Sequence, residues 1–381
     1  MERKQMNILV VKGINQYGVL SYMLDAIADE LQHRNFNVQV CTWDEIEKRM
    51  NVHWDICIGT QAIDAMFDVD ADKYIAWLVD HPVLFYSRLV KHKNTGNYWI
   101  GCVDQTHVEY LKQCVGCEKV FFLPHCAGKS AYIKAYKERA IDVFFPSSYL
   151  DLAEFENENS EWRTGAVKLI TDQVIALLKN NDKISVEQAV KEVLEQLGET
   201  VDTQFLEECM IGFGSYIDTY ICRYYRLQVV KALLDEGIVL TVTGSGWRDF
   251  ERNYHGKGKI NILSEDMSYD KVLDCMADSK MVLNVFPWFK DGSHERLASA
   301  LMNGSVCLTD RNEYTDRLLT DDKSAILYDR KKPEELAEKI RYYLVHPDEA
   351  EMIANQGKQV AMKYMTAKNC VDMLLKGIDK G

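Results

Sequence analysis

Residues 284–310, NVFPWFKDGSHERLASALMNGSVCLTD, constrain the fold more tightly than any other stretch of the chain. Two short apolar runs, Lys280 to Phe286 and Ser305 to Thr309, have the length and composition of fully buried strands. Between them, Glu295 to Asn303 predicts a helix with Leu297, Ala298 and Leu301 on one side, stopped by Gly304. Strand, loop, helix, glycine stop and strand make one unit of a parallel βαβ layer. The loop ahead of that helix carries Asp291, Gly292, Ser293, His294, Glu295 and Arg296. The first amides of a helix lack intrahelical partners and its N-terminus carries partial positive charge. With a histidine and an arginine beside it, this turn suits a phosphate or diphosphate. The alternative is an ordinary βαβ connection whose loop charges are solvated.

The same alternation runs through the rest of the chain. Strands are predicted at Asn7 to Lys12, Asn37 to Thr42, Trp54 to Ile58, Tyr74 to Val79, Tyr98 to Val103 and Lys119 to Leu123, separated by helical segments such as Leu20 to Gln32. After a further strand at Ile141 to Phe145 the pattern changes, and from about Leu150 to Glu236 only helical periodicity is present. Ser185 and Gln188 have the spacing of a capping box, Asp202 or Thr203 suits a helix start, and the segment is expected to break near Gly212 to Ser215. A long helix from Ile217 to Glu236, closed by Gly237, returns the chain to alternation with strands at Ile238 to Thr243, Lys259 to Leu263 and Ala325 to Tyr328. Ser268, Pro333 and Pro347 mark later helix starts. The expected architecture is α/β, with two doubly wound parallel-sheet domains facing a cleft. The first spans 1–138 and the second 139–381, with a helical insertion at about 155–210 in the second.

Length and composition narrow the function classes. At 381 residues the chain can form two domains, and a net charge of −13 argues against a nucleic-acid partner, whose binding rests on clustered Lys and Arg. No run approaches the roughly 20 apolar residues of a transmembrane helix. The opening MERKQMNILVVKG has no signal-like apolar region. Eleven cysteines, many within apolar strands, suit reduced thiols and a cytoplasmic location. Cys114 and Cys117 form one CxxC with no second pair at zinc spacing. Asp68, Asp70 and Asp72 read as a solvated surface turn, so no metal site is expected.

Strand ends supply the remaining candidates. On the first domain these are Gly13, Asp80, His81, Asp104 and His125, with Asp80 and His81 of the residue types that can take up a proton. The competing reading of Asp80 is a turn residue ahead of Pro82. On the second domain, Gly244, Ser245 and Gly246 follow a strand and suit a turn at a phosphate, although any strand-to-helix turn can need such glycines. Arg223 and Arg226 share a helix face, and paired guanidinium forks fit diphosphate oxygens without a metal. Trp288 and Phe289 are candidate walls of the same site.

Three stretches carry a family resemblance: IDTYICRYYRLQVVKALLDEGIVLTVTGSGW, DGSHERLASALMNGSVCLTDRNEY and AILYDRKKPEELAEKIRYYLVHPDEAEMIANQGKQ. Together they resemble the two-Rossmann (GT-B) glycosyltransferases, in the "glycosyl transferases group 1" branch related to spore-maturation glycosyltransferases. The N-terminal half matches more loosely, through LVDHP and FLPH. The resemblance implies a bacterial-type transferase that takes a nucleotide-sugar donor, UDP-sugar foremost, on the second domain and a glycan or protein acceptor hydroxyl on the first. Gly244 to Gly246 would approach the donor phosphates or sugar, and Asp291 to Arg296 would line the diphosphate and sugar. Many relatives place a ribose-holding glutamate where this chain has Ser299. That departure motivates one alternative, a non-catalytic nucleotide-binding partner subunit, and a nucleotide-sugar epimerase, which shares the architecture, is another. No separate cofactor is implied, and the helical insertion is a candidate for acceptor recognition or homo-oligomer contact.

Overall fold

A computed structural model of the chain describes residues 5–13, 18–132, 134–286 and 288–379. Apolar β-branched runs such as NILVVK and SKMVLN are buried along nearly their whole length, as strands of a parallel sheet must be when helices cover both faces. The described strands form two six-stranded sheets, parallel throughout. In the first, β1 (Asn7–Lys12), β2 (Asn37–Thr42), β3 (His53–Thr60), β4 (Asp70–Leu78), β5 (Tyr98–Cys102) and β6 (Val120–Phe122) lie in the order β2-β1-β3-β4-β5-β6. In the second, β7 (Ile141–Pro146), β8 (Val239–Thr243), β9 (Lys259–Ile262), β10 (Ser279–Asn284), β11 (Val306–Asp310) and β12 (Ile326–Tyr328) lie in the order β12-β11-β10-β7-β8-β9. The order reverses between β7 and β10. In an open α/β sheet that switch point leaves a crevice at the carboxyl ends of the strands.

The chain falls into two compact units. One comprises Met1–Cys126, Asp202–Ile211 and Met365–Gly381, and the other Ala127–Val201 and Gly212–Tyr364. The sequence places the division at 138/139. In the structure, the stretch leading into β7 is already tied to the second sheet: Tyr136 Oη donates to the Lys280 carbonyl at 3.0 Å and Arg139 Nη1 to the Ser279 carbonyl at 2.8 Å. The last helix, Ala367–Asp379, belongs to the first unit, where Asp372 pairs with Arg34 at 2.6 Å. Most of the helical insertion (Leu152–Glu158, Gly165–Asn180, Val186–Gln196) belongs to the second unit, but Thr203–Cys209 goes with the first.

Local signals act as read in most places. Ser185 and Gln188 form a reciprocal capping box, and Asp202 accepts the Phe205 amide at 2.8 Å. Three readings need correction. The segment near Gly212 is not broken but runs through a π-helical turn, Met210–Gly214, into Ser215–Asp235. Asp70 and Asp72 open β4 instead of lying in a turn, with their carboxylates 2.9 and 3.5 Å from the ring nitrogens of His53 on the neighbouring strand. The helix Glu295–Met302 is buried on every face, not one, because it is covered by the long helix Pro347–Tyr364 as well as by the sheet. Gly357 permits that closeness, since a Cβ there would stand 2.7 Å from Leu301 Cδ2. No helix among the described residues is long and apolar enough to cross a membrane.

Candidate functional site

The switch point of the second sheet gathers most of the expected donor-side residues within one unit. β7 ends at Pro146, and the following Ser147–Tyr149 runs beside the turn after β8. Tyr149 N donates to the Ser245 carbonyl at 2.9 Å, and Trp247 Nε1 donates to the Ser147 carbonyl at 2.6 Å. Gly246 has φ 84°, and a Cβ there would lie 2.3 Å from the Tyr149 carbonyl oxygen. The glycine is therefore required by the approach of two protein backbones, a use that spacing alone does not distinguish from phosphate contact. Gly244, at φ 118°, also needs the absence of a side chain, while Ser245 Oγ is 3.2 Å from Ser148 Oγ.

Arg223 and Arg226 project from the helix Ser215–Asp235 toward this turn and, with Ser148, Tyr149 and Trp247, line a narrow cavity. The Arg223 guanidinium lies 4.0 Å from the Phe155 ring centroid and reaches the Asp151 carbonyl at 3.3 Å. Arg226 sits 4.7 Å over Trp288. In both arginines Nε is buried without a hydrogen-bond partner among the described residues. Burial lowers the Arg223 pKa. An unmatched buried N–H costs on the order of 1–3 kcal/mol, and the cavity that the two side chains line, about 10 Å³, has room for about one water.

The 291–296 loop contributes unequally. Asp291 is engaged by Arg317, and the Gly292 carbonyl accepts from Asn312 Nδ2 at 2.9 Å. Ser293 is buried. His294 is the N-cap of the helix Glu295–Met302, its Nδ1 accepting the Arg296 amide at 3.4 Å while the same edge of the ring faces the Glu295 carboxylate. Burial lowers the His294 pKa, Glu295 opposes the shift, and the charges of Arg296 and Arg226 reinforce it. Glu295 itself is buried.

Two of the expected donor-side residues lie on this helix. Arg296 is held by the protein itself. It is 4 % exposed, its Nε donates to the Pro146 carbonyl at 2.9 Å and its Nη1 to Asn284 Oδ1 at 3.3 Å. It thus ties together the ends of β7 and β10, the two strands that frame the crevice. Burial brings its pKa down to about 10, which leaves it charged at neutral pH. Ser299 is likewise held by the protein. It is fully buried, and its Oγ accepts the Gly128 amide at 2.9 Å and lies 2.9 Å from Tyr269 Oη.

On the first unit the expected residues lie at the ends of β1, β4 and β5 and beyond β6, but they are not alike. Asp80 is half-buried and accepts from Gln61 Nε2 at 2.9 Å. His81 is buried, accepts the Val83 amide at 3.1 Å and packs its ring 4.7 Å from that of His107, a buried histidine that the spacing Asp104-x-x-His107 could have flagged. Asp104 is fully buried and caps the helix Gln105–Tyr110 through the Thr106 amide (2.7 Å) and hydroxyl (2.6 Å). His125 is buried 6.0 Å from Trp77, and Gly13 faces Ile63. A group with metal-ligand geometry, His53, Asp55 and Asp72, lies at the other end of this sheet, near the starts of β3 and β4. Cys114 and Cys117 are free thiols, and burial pushes Cys117 up to about 11.

Comparison with known proteins agrees with this architecture. Residues 226–376 match the family described as glycosyl transferase-like. No curated protein matches the chain. Among solved structures, an alpha-glucosyltransferase in complex with UDP and a 13-mer DNA containing a HMU base aligns at TM-score 0.59 and 10% identity, covering 98% of this chain and 100% of that one. The Anabaena protein Alr3699/HepE in complex with UDP-glucose aligns at 0.55 and 10%, covering 99% and 100%. AviGT4, a glycosyltransferase involved in avilamycin A biosynthesis, aligns at 0.56 and 9%, covering 98% and 97%. At such identities the likeness shows the fold, which is that of the two-Rossmann glycosyltransferases. The family match covers residues 226–376, and the shared fold extends over nearly the whole chain.

Proposed function

We propose that the protein moves a sugar from a UDP-sugar to a hydroxyl of a glycan or protein acceptor, using arginines instead of a carboxylate-held metal to offset the diphosphate charge. The observation that carries this reading is the placement of Arg223 and Arg226 together beside Ser148, Tyr149 and Trp247 at the sheet switch point. Guanidinium groups aimed at a leaving diphosphate stabilise charge as it develops. Structural neighbours described as complexes with UDP or UDP-glucose support the choice of base. In the transfer the bond from the anomeric carbon to the β-phosphate oxygen breaks with its electron pair on the diphosphate, and a bond to the acceptor oxygen forms. For an inverting outcome, we assign the acceptor proton to Asp80, half-buried and held by Gln61, in preference to the buried His81.

Ser299 favours one second reading, a chain that binds nucleotide without transfer, because its hydroxyl is spent on Gly128 and Tyr269. Titration of UDP, ADP and GDP against the purified protein by calorimetry tests the donor reading. UDP is expected to bind, and Arg226→Ala to weaken it by about tenfold to a hundredfold, the range of one or two charge-assisted hydrogen bonds. Equal affinity in wild type and Arg226→Ala would remove the site. Release of UDP from UDP-glucose, with Asp80→Asn slowing turnover while leaving UDP affinity unchanged, separates transfer from binding alone.

A further inference from the structure

A second cavity, of about 520 Å³, opens at the carboxyl ends of β11 and β12, within the same unit as the arginine pair but on different residues. Its volume is in the range of small-molecule sites. Its walls come from three separate places in the chain: Asp182 and Lys183 of the helical insertion, Phe289 and Lys290, and the segments after β11 and β12. At its base Arg330 is 5% exposed and paired with Asp310 and Asp182, yet its Nε is buried with no partner among the described residues. On its rim, exposed Lys183 and Lys331 make no ion pair among the described residues, although Lys331 Nζ donates to the Asn180 carbonyl at 2.9 Å. The lining carries Lys183, Lys290, Arg311, Arg330 and Lys331 against Asp182, Glu313, Asp316 and Asp329, a local balance slightly on the positive side in a chain of net charge −13.

We propose that this cavity binds a sugar carrying a negative charge, a phosphate or a carboxylate, as part of the acceptor. The exposed lysines supply donors to the anion, and Arg330 stays tied to Asp310 and Asp182 behind them. Asn312, Glu313 and Asp329 supply groups for hydroxyls, and the volume exceeds what a bare phosphate fills. The cavity also shares its wall with the loop that leads into His294. Asn312 Nδ2, which lines it, donates to the carbonyls of both Phe289 (3.0 Å) and Gly292 (2.9 Å). An occupant would therefore rest against the back of the loop assigned to the donor. The assignment as an acceptor subsite rests on the transferase reading above, whereas the binding chemistry stands without it.

The test is calorimetric titration of the full chain with glucose 6-phosphate, glucuronate, glucose and inorganic phosphate, each repeated on Lys183→Ala/Lys331→Ala and on Arg226→Ala. Saturable binding of glucose 6-phosphate or glucuronate is expected, with the responding anion identifying the source. The double lysine variant should weaken it about tenfold or more while UDP affinity stays as in wild type. Arg226→Ala should do the reverse. Absence of binding by both anionic sugars, equal binding of uncharged glucose or of phosphate alone, or insensitivity to the two lysines would overturn the proposal. Loss of anionic-sugar binding in Arg226→Ala would overturn it too, by placing that binding at the arginine pair. Failure of UDP to bind would instead strike only the donor reading.

Discussion

Ser299 Oγ accepts the amide of Gly128 at 2.9 Å, across 171 residues of sequence, and lies at the same distance from the hydroxyl of Tyr269. The neighbouring Asn303 binds the same strand-like segment, receiving the Ser130 amide at 2.9 Å and donating to the Gly128 carbonyl at 3.1 Å. The position that resembles a ribose-binding acid is thus a clamp. Restoring the acid by Ser299→Glu is expected to destabilise the protein by about 3 kcal/mol or more, since a charged, larger side chain would enter a fully buried site. Ser299→Ala should cost about 1–3 kcal/mol by stranding the Gly128 amide. Chemical denaturation measures both. A Ser299→Glu protein as stable as wild type, with tighter UDP binding, would contradict this role.

Gly246 gives a second prediction. Its φ of 84° is strained for any residue with a Cβ, and that atom would meet the Tyr149 carbonyl at 2.3 Å. Gly246→Ala should therefore lower stability by more than the ~1–2 kcal/mol of an unfavourable backbone angle alone. Because Tyr149 lines the cavity with Arg223 and Arg226, UDP affinity should fall in parallel. Gly198→Ala, at φ 90° with nothing within 4 Å of the added Cβ, is the control that carries the angle cost without the collision.

What could be read from the chain alone follows a physical dividing line. Strand positions, the Ser185–Gln188 capping box and the glycine stops at Gly237 (φ 80°) and Gly304 (φ 68°) are local, set by patterns within a few residues. The arginine pair was legible because Arg223 and Arg226 share a helix face. The partners of Arg296 and Ser299 could not be read, because Pro146 and Gly128 lie 150 and 171 residues away and leave no mark near them. The second cavity was invisible for the same reason, as Asp182 meets Arg330 over 148 residues. Asp104 is the intermediate case. Its use as a helix cap is local, and Thr106 two residues on was the available sign.

A pH experiment addresses His294. Burial holds its folded-state pKa below the ordinary 6.5, so between that depressed value and 6.5 the unfolded chain binds more protons. Stability must then rise with pH across this window, flatten above 6.5, and fall as pH drops through it. His294→Asn keeps a capping acceptor at the helix start but cannot titrate. Comparing midpoints of urea denaturation from pH 7.5 to 5.5 in wild type and variant isolates the histidine. The wild type should lose more stability toward pH 5.5. Parallel curves would show that the imidazole does not titrate differently in the folded state.

The last prediction concerns Arg330 and Asp310. Asp310 is fully buried, accepts the Phe286 amide at 3.2 Å and is paired with Arg330, yet burial still raises its pKa above the ordinary 3.8. A folded-state pKa that is raised means that Asp310 favours folding most below pH 3.8, a contribution lost as pH climbs through the raised value. Arg330 is the group that limits this loss. Arg330→Met removes the compensating charge and should destabilise the protein by roughly 3–5 kcal/mol at pH 7.5, the cost of an uncompensated buried ion. The penalty should shrink as pH is lowered toward 5, where the carboxyl can take up a proton. Arg330→Met/Asp310→Asn should recover part of it at pH 7.5, since no charge is left stranded. Urea denaturation of the two variants at both pH values is the measurement. A single-variant penalty independent of pH and untouched by Asp310→Asn would mean that Arg330 acts through packing and Asp182 alone.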